Sequence, residues 1–125
     1  MNDRKRIAVD LDGTICETKR PDQNYSEVLP LPGAVESLQQ LKASGFYIVV
    51  YTARNMRTCN NNLGAITKNQ AGIVTNWLER YSVPYDELLF GKPWVDWYID
   101  DKAIKFVSWE QAKKELGVTD VSFFS

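Results

Sequence analysis

Strand and helix signals alternate along this chain, which predicts an α/β fold built on a Rossmann-like, doubly wound parallel sheet. Three observations carry the expectation. FYIVVY at 46–51 is apolar at every position, as in a strand covered on both faces. Shorter apolar runs elsewhere stop abruptly at polar residues, and the stretches between them place apolar residues at helical spacing.

The first strand is read at 6–10, RIAVD, rich in strand formers and followed by a polar stretch from Gly13 to about Pro30. Pro32-Gly33 opens a helix with Ala34, Val35, Leu38 and Leu41 facing inward, and Gly45 closes it. FYIVVY is the second strand. TARNMRTCNNNLGAITKN at 52–69 is polar and contains glycine, and reads as a long functional loop. The spacing of Ile73, Val74, Trp77, Leu78 and Tyr81 predicts a helix over about 70–81. Short strands are expected at 87–90 and 97–100. Ser108 with Gln111 forms a capping box for a last helix, with Trp109, Ala112 and Leu116 inward and Gly117 at its end. There is no internal repeat or low-complexity segment, so residues 1–125 are expected to form a single domain.

Composition narrows the function. A net charge near −1 offers no basic field to recruit nucleic acid or an anionic membrane. The opening MNDRKR and the short run behind it, cut at Asp10, resemble neither a signal peptide nor a membrane span. Cys16 and Cys59 lack metal-type spacing and are expected to be reduced thiols of a cytoplasmic protein. The sequence contains no histidine, which removes Ser-His-Asp, Cys-His and His-ligated zinc chemistry. Catalysis must then rest on carboxylates, hydroxyls, lysine and a hard metal.

In parallel α/β sheets, ligands bind outside the carboxyl ends of the strands. Those ends here carry Asp10 and Asp12, then Thr52-Ala53-Arg54, then Gly91-Lys92-Pro93, then Asp100-Asp101. All four are expected on one rim. Clustered carboxylates repel one another, and Lys92 alone is too little to offset them. A hard divalent cation with oxygen ligands answers that repulsion, and Mg²⁺ in turn attracts phosphate. Asp10 and Asp12 lie two positions apart, so both lean to one side of extended backbone while Leu11 turns to the core. One carboxylate can attack phosphorus while the other handles the proton, through an aspartyl-phosphate intermediate. Thr52 can donate to a phosphoryl oxygen, and Lys92 can offset the gathering charge.

DLDGT resembles the first motif of the haloacid dehalogenase-like superfamily. YTAR resembles the second, Lys92 in GKP the third and YIDD the fourth, in the same order over 10–101. More narrowly, ARNMRT, VPYDEL and GKPW resemble the small phosphatases of bacterial capsular polysaccharide biosynthesis. One departure is that only residues 95–99 separate GKPW from the Asp-Asp pair, where those relatives are expected to carry a longer polar insertion. The resemblance implies a Mg²⁺-dependent phosphomonoesterase acting on a small phosphorylated metabolite, with a sugar phosphate of polysaccharide biosynthesis in view. It makes Asp10 the nucleophile and Asp12 the general acid and base. It gives Mg²⁺ to Asp10, the Asp12 carbonyl oxygen and Asp100, with Asp101 direct or through water. Phosphate binding falls to Thr52, Ala53, Arg54 and Lys92. The segments at 13–32 and 54–69 are too short for a cap domain, so the site is expected to draw its lid from its own loops or from a second subunit.

Other readings stand beside this one. A phosphotransferase would carry the same motifs. A phosphoacceptor receiver domain also gathers acidic residues, Thr and Lys around Mg²⁺, but with its adjacent acidic pair on the first strand, whereas here that pair comes last. A non-catalytic module would be expected to lack an essential group, and none is missing. Arg54 and Arg57 are read either as ligands of a second anionic group or as solvated loop residues. The run Asn60-Asn61-Asn62 reads as turn chemistry, with contact to sugar hydroxyls as the other reading. Trp94 and Trp97 are weighed as a platform for a sugar ring, with burial favoured for Trp97, while Trp77 and Trp109 read as core. Phe123 and Phe124 are open between packing on the domain and packing on a second subunit.

Overall fold

The computed structural model describes residues 4–118. Phe123 and Phe124 lie outside them. Strands β1 (Arg6–Asp10), β2 (Tyr47–Thr52) and β3 (Glu87–Phe90) form one three-stranded sheet in the order β1-β2-β3. Both pairings are parallel, with Ile7 opposite Ile48, Asp10 opposite Tyr51 and Thr52 opposite Phe90. Parallel strands need long crossovers. Helix α1 (Ala34–Ala43) supplies the first and α2 (Leu63–Arg80) the second. A short last helix, α3 (Trp109–Glu115), follows. Because every strand runs the same way, the residues after Asp10, Thr52 and Phe90 leave from one edge. That edge carries the DLDGT, TAR and GKP stretches.

One face of the sheet is the core. Val9, Ile48 and Val50 pack with Leu38 and Leu41 of α1 and with Val74, Trp77 and Leu78 of α2. Burying each such aliphatic side chain contributes about 1.5–3 kcal/mol of apolar transfer. The Trp77 indole donates to the Val28 carbonyl at 2.8 Å and Arg80 donates to the Ser26 carbonyl at 3.2 Å. These bonds hold the segment before α1, including a 3-10 turn over Tyr25–Glu27, against α2. Trp77 and Trp109 are both core residues, 2% and 5% exposed. The opposite face, Ala8, Asp10, Val49, Tyr51 and Leu89, fronts a cavity whose other wall comes from residues in the 91–106 stretch.

Three expectations need correction. Helix α2 begins at Leu63, well before position 70, so much of the expected loop is helix. Its first turns bury only Ile66, so no apolar stripe marks them; the available signal was Asn62, whose side chain caps the helix by accepting from the Ala65 amide at 3.1 Å. The shortened loop turns on Asn55, Asn60 and Asn61, all at positive φ, which asparagine tolerates better than most residues. The strand expected at 97–100 is not formed; the stretch between β3 and α3 carries no ladder. Trp97, Tyr98 and Ile99 sit between Asp96 and Asp100-Asp101. Tyr98 instead turns back on the residues after β3, its ring against the Lys92 ammonium and its hydroxyl donating to the Pro93 carbonyl. Trp97 is 85% exposed, contrary to the burial expected for it.

Asp86, in the stretch before β3, joins two elements. It pairs with Lys42 in the last turn of α1 and accepts from the Ile48 amide at 2.8 Å. The Lys42 hydrogen bond and then the backbone bond hold its carboxyl below the usual value. A lowered folded-state pKa stabilises the fold above the unfolded value of about 3.9, and that contribution is lost as pH falls through the folded value. Asp86→Asn should therefore lower the urea midpoint at pH 7, with the gap to wild type closing below about pH 4. A gap that persists undiminished in acid would show that the charge is not what matters.

Candidate active site

Asp10 closes β1, and its neighbour across the ladder is Tyr51. Lys92 follows β3, and its Nζ lies 3.0 Å from Asp10 Oδ2. The Gly91 and Lys92 amides both donate to the Thr52 carbonyl, at 3.2 and 3.3 Å, which continues the β3 pairing far enough to aim Lys92 at Asp10. Gly91 takes φ 129°, and a Cβ there would meet Leu63 at 3.1 Å, so glycine suits this approach. The Lys92 ammonium also sits 4.4 Å from the centre of the Tyr98 ring and 5.2 Å from that of Tyr51. Burial raises the Asp10 pKa above its usual value; the Lys92 hydrogen bond and charge oppose this, and the Asp12 charge adds to it. Burial pulls Lys92 down, but its hydrogen bond to Asp10 together with the Asp10 charge and the nearby tyrosines outweighs that and leaves its pKa raised.

Asp12 faces a different set of partners. Immediately after it the chain turns at Gly13, φ 82°, and the Ile15 and Cys16 amides both donate to the Leu11 carbonyl at 2.9 and 3.0 Å. Trp109 of α3 donates to the Thr14 carbonyl at 2.9 Å, tying the last helix to this turn. Arg54 Nε lies 3.0 and 3.1 Å from the two Asp12 oxygens, and Nη2 lies 3.0 Å from Oδ1. Thr52 Oγ1 donates to Oδ2 at 3.0 Å and accepts from the Arg54 amide at 3.1 Å. The Arg54 side chain is 1% exposed. It lies 4.1 Å from the Tyr25 ring centre, with Nη1 3.4 Å from Gln70 Oε1. Cys16 Sγ approaches Asp12 Oδ1 at 3.6 Å, and burial together with the Asp12 charge pushes its thiol up to about 12. That thiol stays protonated at neutral pH, which makes it a poor nucleophile.

The rim therefore holds two ion pairs, Asp10 with Lys92 and Asp12 with Arg54. They open on two cavities. One of about 890 Å³ is lined by Asp10, Tyr51, Lys92, Tyr98 and Asp100 among others. The other, about 320 Å³, is lined by Asp12, Ala53 and Arg54 with residues of the adjoining loops. The residues expected at the site are thus brought together with two exceptions. Asp101 is exposed and lines neither cavity, because no fourth strand carries it to the rim. Thr52 is fully buried, and its hydroxyl is directed at Asp12 in place of an open phosphate position. Tyr25, Cys16 and Gln70, which enclose Arg54, had no motif to announce them. Tyr51 and Tyr98 beside Lys92 were hidden within apolar runs.

The donor chemistry fits a hard divalent cation. Asp10 and Asp100, two of the carboxylates such an ion would use, line the same cavity. Among the described residues, however, no three His, Cys, Asp or Glu side chains already form a cluster able to hold an ion. Asp100 instead accepts from the Lys102 amide at 2.8 Å.

No protein-family model matches the chain. The D-glycero-beta-D-manno-heptose-1,7-bisphosphate 7-phosphatase of Pasteurella multocida is 27% identical to it over 101 residues, which make up 81% of this chain and 44% of that protein. The chain thus spans less than half the length of this curated relative. A structural-genomics target from Vibrio cholerae, solved by crystallography, is 46% identical and superposes with a TM-score of 0.74, over 80% of this chain and 82% of that one. The chain belongs to the haloacid dehalogenase-like superfamily. The superfamily's parallel α/β core accounts for the sheet and for the rim at its carboxyl edge. A chain of the Pnkp1/Rnl/Hen1 RNA repair complex is 20% identical with a TM-score of 0.51, over 90% of this chain and 30% of that one, a likeness of fold alone. Among the described residues no helix is long and apolar enough to cross a membrane.

Proposed function

We propose that residues 1–125 form one haloacid dehalogenase-like phosphatase domain that hydrolyses a small phosphorylated metabolite of the cytoplasm. The substrate class is a sugar phosphate of polysaccharide biosynthesis. The observation that carries this reading is the pair of aspartates at the end of β1, each held by its own cation and each opening on its own cavity. Support for the sugar phosphate comes from the Pasteurella relative, whose name gives a heptose bisphosphate.

In this mechanism an Asp10 carboxylate oxygen attacks phosphorus, forming the aspartyl phosphate as the bond to the leaving oxygen breaks. Asp12 gives that oxygen its proton. Water then attacks the aspartyl phosphate, Asp12 takes the proton back, and inorganic phosphate and free Asp10 result. Lys92 offsets charge as phosphate nears Asp10, and the Ala53 stretch borders the reacting group on the Asp12 side. Arg54 grips both oxygens of Asp12, and with Thr52 it keeps that carboxyl in one orientation through both proton transfers. Its task is thus to position Asp12, where the sequence had offered it as a phosphate ligand. Asp10, the Asp12 carbonyl and Asp100 would hold Mg²⁺, which when bound supplies positive charge to the phosphoryl oxygens; Asp101, away from both cavities, takes no part in this reading.

The test is phosphate release from p-nitrophenyl phosphate and from a panel of sugar phosphates. Turnover should require added Mg²⁺ and stop with EDTA. Full turnover in EDTA would remove the metal from the reading, and no turnover on any phosphomonoester would remove the function.

A further inference from the structure

The smaller cavity holds charges that hydrolysis itself leaves without a task. Lys19, from the loop after β1, and Arg57, from the loop after β2, both line it, with Trp94 and Thr58 beside them. Neither cation forms an ion pair among the described residues. Lys19 Nζ donates to the Arg20 carbonyl at 3.2 Å and stands 5.5 Å from the Tyr25 ring centre. The Arg57 guanidinium is 5.1 Å from the Trp94 ring centre. Among the described residues Asp12 is the only carboxylate lining this cavity, and Arg54 already balances it. The recess therefore carries an excess of positive charge, supplied by side chains on two loops.

Its position gives that charge a meaning. If Asp10 attacks and Asp12 protonates the departing oxygen, the leaving group sits on the Asp12 side, where this recess lies. A recess of about 320 Å³ is at the small end of small-molecule sites and suits one sugar-sized group. The exposed Trp94 offers a ring face, the Thr58 hydroxyl a polar contact, and the arginine a planar fork matched to an oxyanion.

We propose that this recess is the leaving-group subsite and that Lys19 and Arg57 bind a second anionic group there, making the preferred substrate a sugar phosphate that bears a further phosphate or carboxylate. The inference rests on the phosphatase reading and adds the identity of the leaving group to it.

The experiment compares kcat/KM for glucose 1,6-bisphosphate, for 6-phosphogluconate and for the better of glucose 1-phosphate and glucose 6-phosphate. Wild type should favour at least one doubly anionic compound over the monophosphate by tenfold or more, mainly through KM. In the double variant Lys19→Gln/Arg57→Gln that ratio should fall to near one. In Lys5→Gln, which removes a cation just before β1 at the far end of the sheet, the ratio should stay as in wild type. Preference for the bisphosphate alone assigns the recess to phosphate, and preference for 6-phosphogluconate as well assigns it to oxyanions in general. Phosphate release from all three without preference, or a preference that survives in the double variant, overturns the subsite and leaves the phosphatase reading standing. No release from these compounds or from p-nitrophenyl phosphate overturns both.

Discussion

Asp10→Asn should lower kcat/KM for p-nitrophenyl phosphate at least about a thousandfold, with the far-ultraviolet circular dichroism unchanged. Asparagine keeps the size and one acceptor oxygen of the side chain but lacks the anionic oxygen that forms the bond to phosphorus. Lys92 would keep a partner, since the amide oxygen can still accept the hydrogen bond that spans 3.0 Å. Loss of rate without loss of fold is therefore the expected pattern. The pH dependence should carry the same signature. Burial raises the Asp10 pKa and a bound cation would lower it, so the acid limb of kcat/KM should move to lower pH as Mg²⁺ is raised. Retention of full activity in the asparagine variant would rule out an aspartyl phosphate at this position.

Arg54→Gln should produce a second large effect of a different kind. Removing the cation leaves Asp12, 24% exposed, without the group that meets both of its oxygens. Breaking a buried pair costs about 3–5 kcal/mol, and the partial exposure of Asp12 reduces this to about 2–3 kcal/mol, read as a lower urea midpoint. Arg54→Lys, which keeps the charge but loses the fork, should restore much of the stability and little of the rate. The decisive readout is a series of phosphomonoesters with leaving groups of increasing pKa. If Arg54 aims Asp12, kcat/KM should fall about a hundredfold or more for alkyl phosphates, which need the proton, and far less for p-nitrophenyl phosphate. A uniform rise in KM across the series would instead return Arg54 to the role of phosphate ligand.

Much of the fold was legible because strand ends are punctuated by chemistry as well as by geometry. RIAVD and ELLF stop where polar side chains begin, and β1 and β3 take the bounds read for them. The link between Asp10 and Lys92, 82 positions apart, followed from parallel strands that deliver their ends to one edge. Arg54 was different. A cation in a polar loop reads as solvated or as a ligand, and only the tertiary arrangement of Tyr25, Cys16 and Gln70 encloses it. The start of α2 was obscured because an N-terminal turn without an apolar face has no period to detect, leaving one capping asparagine as its mark. Trp97 misled because a large aromatic ring is usually covered, whereas the residues around it form no strand to carry it inward.

The separate pairing of the two aspartates also bears on what chelation would do to the fold under the proposed mechanism. Small zinc-folded domains collapse when stripped because their ligands have no other partner. If the proposed Mg²⁺ dependence holds, Lys92 and Arg54 would still compensate the acidic doublet on chelation, so EDTA should stop turnover while the scaffold persists, and returned Mg²⁺ should restore it without a refolding step.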